Sequence, residues 1–351
     1  MKGLRTTEEG CAEARIASPP KTAGGRSAVF FHNGLGDYVI NRPALRALAK
    51  TLPAPVDLLV GAGPQRFLVE DLGFRRVFST TVSPPAGGRG RDFAFAEDAL
   101  EPCGWFVNQA PWAGPAVRRL AEQLQAPLRI GVGAPAADPH DPRNAVEIAF
   151  AAARHLDPTL EAAAFAAPPR FPWDVEDRVA RVVADLGARG WSELLVVHAD
   201  TAEEKMWSAE GMSRLLCAVL DARPKAFALI VGGRPGFALC NCHRARVREV
   251  FGASLATAMC LVARADLSLC VDSCMMHVAD SCGRPGVVLF TGATRPERWG
   301  PFGSSLAVVR TEGRAADAII AEALAVLDKA PGRGVAENRL DRNATPDSVM
   351  S

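Results

Sequence analysis

The stretch LSLCVDSCMMHVADSCGRPGVVLFTGATRPERWGPFG, residues 267–303, constrains the fold of this chain more than any other. An apolar run from Leu267 to Val271 breaks at Asp272 and Ser273. A helical stretch follows from Cys274 to about Cys282, and a second apolar run, Gly286 to Phe290, ends in a Gly/Thr/Pro loop. Strand, helix and strand in this order make a βαβ unit, the building block of a parallel sheet. Its helix starts at the strand ends, where the first-turn N–H groups are unpaired and the helix dipole favours an anion. In open parallel sheets that crevice is where phosphorylated ligands sit.

The same alternation runs through the rest of the chain. After a polar leader, residues 1–25, SAVFFH (27–32) reads as a strand entering the turn Asn33-Gly34-Leu35-Gly36-Asp37. Ile40, Ala44, Leu45, Ala47 and Leu48 then recur at helical spacing, with Pro43 near enough to the first turn to be tolerated. VDLLV (56–60), a helix around Gln65 to Leu72 and RRVFS (75–79) continue the pattern, whereas residues 81–115 take no clear assignment. LRIGV (128–132) and a helix from about Asn144 to His155 close a first domain, 26–160.

A Pro-, Ala- and Phe-rich stretch without a period supplies a linker, 161–173, and a second domain spans 174–330. It comprises a helix from Asp174 to Leu186, the strand ELLVVHA (193–199), a helix from Ala209 to Leu220 and the strand AFALIVGG (226–233). Helices near 241–250 and 254–264 lead to the βαβ unit, and LAVVR (306–310) with a helix over 315–327 completes it. Residues 331–351 form a polar tail that reads as flexible. Periodicity thus predicts two α/β domains, and 351 residues with 48% hydrophobic content suffice for two cores.

Charge and cysteine usage narrow the partners. With 40 basic against 39 acidic side chains there is no global field for a polyanion, so nucleic acid is not expected, and a heavily anionic membrane acceptor is disfavoured. HRARVRE (243–249) is spaced like one solvated helix face. No apolar window approaches a membrane span and the N-terminal segment has no apolar block of a signal peptide, which predicts a cytoplasmic protein without an integral membrane segment. The nine cysteines lie mostly in apolar segments, as at Cys217, Cys260 and Cys270, and read as reduced small hydrophobes. Cys240, Cys242 and His243 lack a second Cys/His pair at zinc spacing and read as a loop or helix start.

Several residues at strand ends are candidates for chemistry. Gly34 and Gly36 let backbone approach a ligand, while Asp37 either caps the following helix or projects over the crevice. Asp272, Ser273 and the amides of Cys274 and Met275 form a phosphate cradle. A thiol at a helix N-terminus has a lowered pKa, which would make Cys274 sensitive to alkylation. His277 lies one turn on, on the same face as Ser273 and Cys274, as a structural residue or a ligand contact. Gly232 and Gly233 are an ordinary strand exit or a close approach to a nucleotide. Thr201, Lys205 and Trp207 occupy the loop within VVHADTAEEKMWSAEGMSRLL (196–216), with Ser208 placed to cap the next helix. By itself Lys205 reads as a surface lysine beside two glutamates.

Asp-Ser-Cys-Met-Met-His, an Ala/Gly helix, Arg-Pro, an apolar strand and Thr-Arg-Pro-Glu-Arg-Trp-Gly-Pro-Phe-Gly resemble the C-terminal signature of glycosyltransferase family nine, the heptosyltransferases. Gly36-Asp37 followed by Pro43-Ala44-Leu45-Arg46-Ala47-Leu48 is similar to the family's N-terminal motif. The Lys205-Met206-Trp207 segment is similar to its strand, Lys-x-Trp, helix segment. The resemblance implies the GT-B architecture, two Rossmann-like domains with parallel sheets facing across a cleft. It further implies Asp37 as general base, with Asn33, Gly34 and Gly36 in the acceptor-side loop. On the donor side it implies Thr201, Lys205, Asp272, Ser273, Cys274, Met275, His277, Gly232 and Gly233.

An inverting transfer from an ADP-heptose-type donor to an acceptor hydroxyl follows from the same resemblance. Cys274 replaces the family's glycine, and Ala293 and Arg295 depart from its Gly-Pro-Thr-Asp-Pro loop, whereas Arg298 and Trp299 match. No Asp-x-Asp stands in a strand-end loop, so a metal-held diphosphate and other cofactors are not expected, and positive side chains and helix dipoles take the cation's place. Abundant Ala, Arg, Gly and Pro with one tyrosine point to a GC-rich genome, which keeps a small-molecule natural product beside a lipid A core as acceptor. A GT-B nucleotide-sugar epimerase and a catalytically silent nucleotide-sugar-binding protein are the alternatives.

Overall fold

The computed structural model describes residues 25–83, 92–112, 114–132, 141–232 and 241–329. The first half runs β1 (Ser27–Phe31), α1 (Leu35–Thr51), β2 (Val56–Gly61), α2 (Phe67–Glu70), β3 (Arg76–Ser83), β4 (Asp92–Ala94), β5 (Trp105–Asn108), α3 (Pro115–Gln123), β6 (Leu128–Ile130), α4 (Ala145–Ala149) and α5 (Ala151–Leu156). The second runs α6 (Ala162–Phe165), α7 (Trp173–Ala188), β7 (Glu193–His198), α8 (Ala209–Ala222), β8 (Ala226–Gly232), β9 (Val247–Phe251), α9 (Leu255–Ala263), β10 (Leu267–Val271), α10 (Cys274–Ser281), β11 (Gly286–Phe290), α11 (Pro296–Trp299), β12 (Leu306–Arg310) and α12 (Ala316–Lys329).

Each half is a six-stranded sheet, ordered β4-β3-β2-β1-β5-β6 and β12-β11-β10-β7-β8-β9. All pairs are parallel except β3 with β4. In the first sheet the chain moves outward from β1 to β2 and β3, then returns to β1's other side at β5. In the second it moves from β7 to β8 and β9, then returns at β10. The switch points therefore fall between β1 and β5 and between β7 and β10, and there the loops leaving the strand ends diverge and open a crevice. Residues 32–37 leave β1, residues 199–208 leave β7 and residues 272–273 leave β10, so these candidate loops lie at switch points, whereas Gly232 ends β8 one strand away.

Central strands such as β1, β10 and β11 are buried on both faces because helices cover both, the expected consequence of parallel pairing. At the start of β11, Gly286 is dictated by packing, since any Cβ there would lie 1.9 Å from the Ser268 carbonyl oxygen of β10. One apolar cluster runs through both halves, joining α1 side chains such as Leu45 and Leu48 to Met259, Met275 and Met276. Two others line the outer faces. Helix α1 packs against α10, so the N-termini of both helices meet at the cleft. No described helix is long and apolar enough to cross a membrane.

The linker region is strapped to the first half. It carries α6, and buried Arg42 of α1 donates to the Pro168 carbonyl at 3.0 Å while pairing with Asp71 at 2.8 Å. Three expectations are corrected. Residues 81–115 contain β5, a central strand pairing with β1, whose four residues sit too close to Pro and Gly to show a period. Residues 241–250 are not one helix: a 3₁₀ helix over Asn241–Arg246 passes into β9, where pairing with β8 overrides the helical spacing and leaves Arg248 and Glu249 exposed at the sheet edge. Pro43 lies nine residues into α1 rather than near its first turn, and the helix continues through it at the cost of one amide donor. Residues 1–24 of the leader, the tail, Cys240 and Gly233 lie outside the described residues.

Candidate active site

In the first half, Gly34 is the N-cap of α1 and Asp37 its third residue. The Asp37 amide donates to the Gly34 carbonyl at 3.1 Å, and its carboxylate accepts from the Gly34 backbone amide. The carboxylate bond is the N3 half of a capping box, and glycine at the N-cap, without a side chain, leaves the other half to the backbone. The two readings of Asp37, cap and cleft residue, therefore coincide in one side chain. Burial drives its pKa up to about 6, against the pull of the Gly34 amide and the positive charge of Lys205. A side chain on Gly36 would touch His277 at 3.6 Å and the Cys274 Cα at 3.7 Å, so the first turn of α1 meets α10 at contact distance. Asn33 is half-buried beside them.

Behind Asp37 runs a polar chain that sequence reasoning missed. Asn41 Nδ2 donates to the Asp37 carbonyl at 2.9 Å, and Gln109, just past β5, donates to Asn41 Oδ1 at 2.9 Å and to the Ala149 carbonyl at 2.6 Å. Both side chains are buried, and they tie the base of the turn to β5 and α4. With β5 itself unassigned, nothing in the sequence paired Gln109 with α1.

In the second half Asp272 is the hub. Its carboxylate pairs with Lys205 Nζ at 3.0 Å and accepts from the Thr294 hydroxyl, while its carbonyl accepts from Thr201 Oγ1 at 3.0 Å. Thr291 Oγ1 donates to the Glu204 carbonyl at 2.8 Å, holding the lysine loop against the loop after β11. Asp272 thus holds the Lys205 cation beside the N-terminus of α10. Thr294 is the residue whose part sequence reasoning did not specify. Ser208 caps α8, accepting from the Gly211 amide as its position implied.

Two cradle residues behave unlike their expectation. Ser273 is the N-cap of α10 but makes no capping bond, its hydroxyl lying instead 3.1 Å from Nδ1 of the buried His198. Cys274 does not have a lowered thiol pKa: burial pushes it up to about 11, although the thiol is hydrogen-bonded by the Cys274 and Met275 amides. Desolvation of a thiolate outweighs the helix N-terminus here. The Met275 side chain is buried in the core, leaving only its amide near the site. His277 stands at the lobe junction, its pKa driven down to about 4 by burial, with Asp272 opposing and Lys205 reinforcing the shift. Gly232 ends β8 close to Asp200, whose Cβ a side chain there would approach to 3.1 Å.

The cleft therefore brings together Gly36, Asp37, Lys205, Asp272, Cys274 and His277 from opposite halves. Gly232 ends β8, beside β7, close to Asp200 of the loop that leaves β7. Among the described residues no group of three His, Cys, Asp or Glu side chains is placed to hold a metal ion. A half-buried carboxylate stands across the cleft from a lysine and a helix N-terminus, an arrangement able to accept a proton on one side and neutralise an anion on the other.

Residues 143–322, just over half of the chain, match the model for glycosyltransferase family 9 (heptosyltransferase). No curated protein matches in sequence. Among solved structures, the glycosyl transferase family 9 protein of Veillonella parvula superimposes with a TM-score of 0.62 at 15% identity over 90% of this chain and 95% of its own. The ADP-heptose LPS heptosyltransferase II of E. coli follows with 0.61 at 14% identity, covering 86% and 98%. E. coli heptosyltransferase WaaC with ADP gives 0.57 at 17% identity, covering 89% and 99%. At such identities the likeness is one of fold, the two-sheet GT-B architecture, and it extends over residues before 143, which the family model leaves unmatched.

Proposed function

The chain belongs to glycosyltransferase family 9, and from that premise we propose that it moves a heptose-like sugar from an ADP-linked donor to an acceptor hydroxyl, with inversion and without a metal ion. Asp37 takes the proton from the acceptor hydroxyl as that oxygen bonds to the anomeric carbon. The bond from that carbon to the diphosphate breaks on the opposite face, and the leaving oxygen keeps the electron pair. Lys205 and the α10 amides meet the charge that develops there, a role a metal ion fills elsewhere.

The observation that carries this reading is the apposition of the α1 and α10 N-termini across the cleft, which sets Asp37 of one lobe opposite the Lys205–Asp272 pair of the other. A base with a pKa of about 6 is ionised near neutral pH yet basic enough to accept a proton in the transition state. The ADP in the E. coli WaaC structure supports adenosine diphosphate as the nucleotide. Near-neutral overall charge supports a small hydroxylated acceptor over a polyanionic one.

Cys274 favours a second reading, a nucleotide-sugar-binding protein without turnover, because its thiol takes up amides that the leaving diphosphate would need. Incubation with ADP-heptose and a panel of hydroxylated acceptors, in the presence of a chelator, separates the two. Acceptor-dependent release of ADP is the result expected. Binding without release favours the silent protein, release abolished by the chelator removes the metal-free mechanism, and a changed sugar without release points to epimerisation.

A further inference from the structure

Serine at an N-cap ordinarily accepts a hydrogen bond from an amide two or three residues into its own helix. Ser208 and Ser254 do so, accepting from Gly211 and Thr257. Ser273 occupies the same position on α10, with extended backbone at φ −157° and ψ 172°, and does not. Its hydroxyl is held by His198 Nδ1 at 3.1 Å.

This contact crosses the switch point of the second sheet. His198 is the last residue of β7 and is in register with Cys270 of β10, three residues before Ser273. The imidazole is only 6% exposed. Burial drives its pKa down to about 4, against the charge of Asp200, so the ring is neutral at ordinary pH and has one donating and one accepting nitrogen. A neutral ring can hold a hydroxyl without adding a cation that would compete with Lys205 for Asp272.

Resting on the donor reading above, we propose that His198 is a positioning residue for the diphosphate, holding the Ser273 hydroxyl off its own helix so that the hydroxyl faces the leaving group at the α10 N-terminus. Without the imidazole, Ser273 is free to rotate onto its own helix as an ordinary cap. The anion site then loses its hydroxyl although no ligand-contacting group has been removed. A merely structural histidine, by contrast, affects stability in the same way whatever stands at position 273 and leaves ligand affinity intact in the folded protein.

A double-mutant cycle read by calorimetry with ADP tests this on the full chain. His198→Ala and Ser273→Ala are each expected to weaken ADP binding about tenfold, with no further loss when combined. His198→Asn, whose side-chain nitrogen falls near the Nδ1 position, is expected to retain most of the affinity. Additive losses, near a hundredfold in the double variant, or native affinity in folded His198→Ala would overturn the assignment. Should the alanine variant not fold, the asparagine variant decides: near-native affinity that drops when Ser273→Ala is added supports the role, and affinity indifferent to Ser273→Ala overturns it. Failure of the unmodified chain to bind ADP, GDP or UDP would overturn the donor reading and this one with it, whereas additive losses in a chain that binds remove this one alone.

Discussion

Two helix N-termini face each other in this protein, and they use the same unpaired amides in opposite ways. At α1 the Asp37 carboxylate of the first turn folds back onto the Gly34 amide, and the helix end is closed by its own acid. At α10 the serine that should close the helix is drawn off by His198, and the end is left to a thiol and to Lys205 nearby. On the proposed function one end presents a base and the other an anion receptor. A chain with a net charge of +1 thereby creates strong local polarity across one cleft, by allocating caps rather than by accumulating charge.

The comparison breaks most sharply at Asp37. Asp37→Asn keeps the acceptor for the Gly34 amide and removes only the charge, so turnover is expected to fall by about a hundredfold to ten-thousandfold with ADP affinity nearly unchanged. Turnover at the native rate in this variant would falsify the base assignment. The same change bears on stability. Because the folded carboxyl titrates near 6, above its unfolded value of 3.8, its contribution is full below 3.8 and is lost as pH rises through 6. Asp37→Asn should therefore raise stability near neutral pH by on the order of 1–2 kcal/mol and leave it unchanged below about pH 4, as thermal melts at the two pH values will show.

Removing the cation on the opposite side comes next in size. Lys205→Ala is expected to weaken ADP binding about tenfold to a hundredfold, the usual range for a lost charge-assisted contact, and calorimetry showing native affinity would exclude Lys205 from the diphosphate. A pH profile sharpens the comparison further. In the native enzyme kcat/KM should rise with pH through a midpoint near 6 as Asp37 ionises. In Lys205→Ala the midpoint should move upward, since the lysine charge holds that pKa down. An unmoved midpoint would mean that the two lobes do not communicate electrostatically.

The smallest effect is expected at Cys274. Cys274→Gly removes the thiol from the α10 amides and should tighten ADP binding by about two- to fivefold. Weaker binding would show that the thiol assists the donor rather than obstructing it. Since burial holds the thiol near 11, iodoacetamide at neutral pH should modify it far more slowly than a free cysteine.

Much of the second half was legible from local pattern. Strands β10, β11 and β12 and the capping Ser208 lie where apolar runs and turn residues place them, because each buries its own period against helices on both faces. The weaker elements were not legible. Four-residue β5 and edge strand β9 owe their state to the neighbouring strand, a partner that a window of local sequence does not contain.

The candidate site divides the same way. Residue types and their position at strand ends marked Asp37, Lys205 and the 272–277 turn as chemistry-bearing, since turn glycines, a carboxylate after a strand and a serine before a helix have local signatures. Only tertiary structure decided what those groups do to one another. It raised the Asp37 and Cys274 pKa values, joined Lys205 to Asp272, set Thr294 on the same carboxylate and turned Ser273 toward His198. Sequence by itself determined the alternating α/β elements, because side-chain periodicity along a segment is a local property. Desolvation, charge pairing and the direction of a hydroxyl depend on distances between segments far apart in the chain, and those exist only once the two sheets have packed.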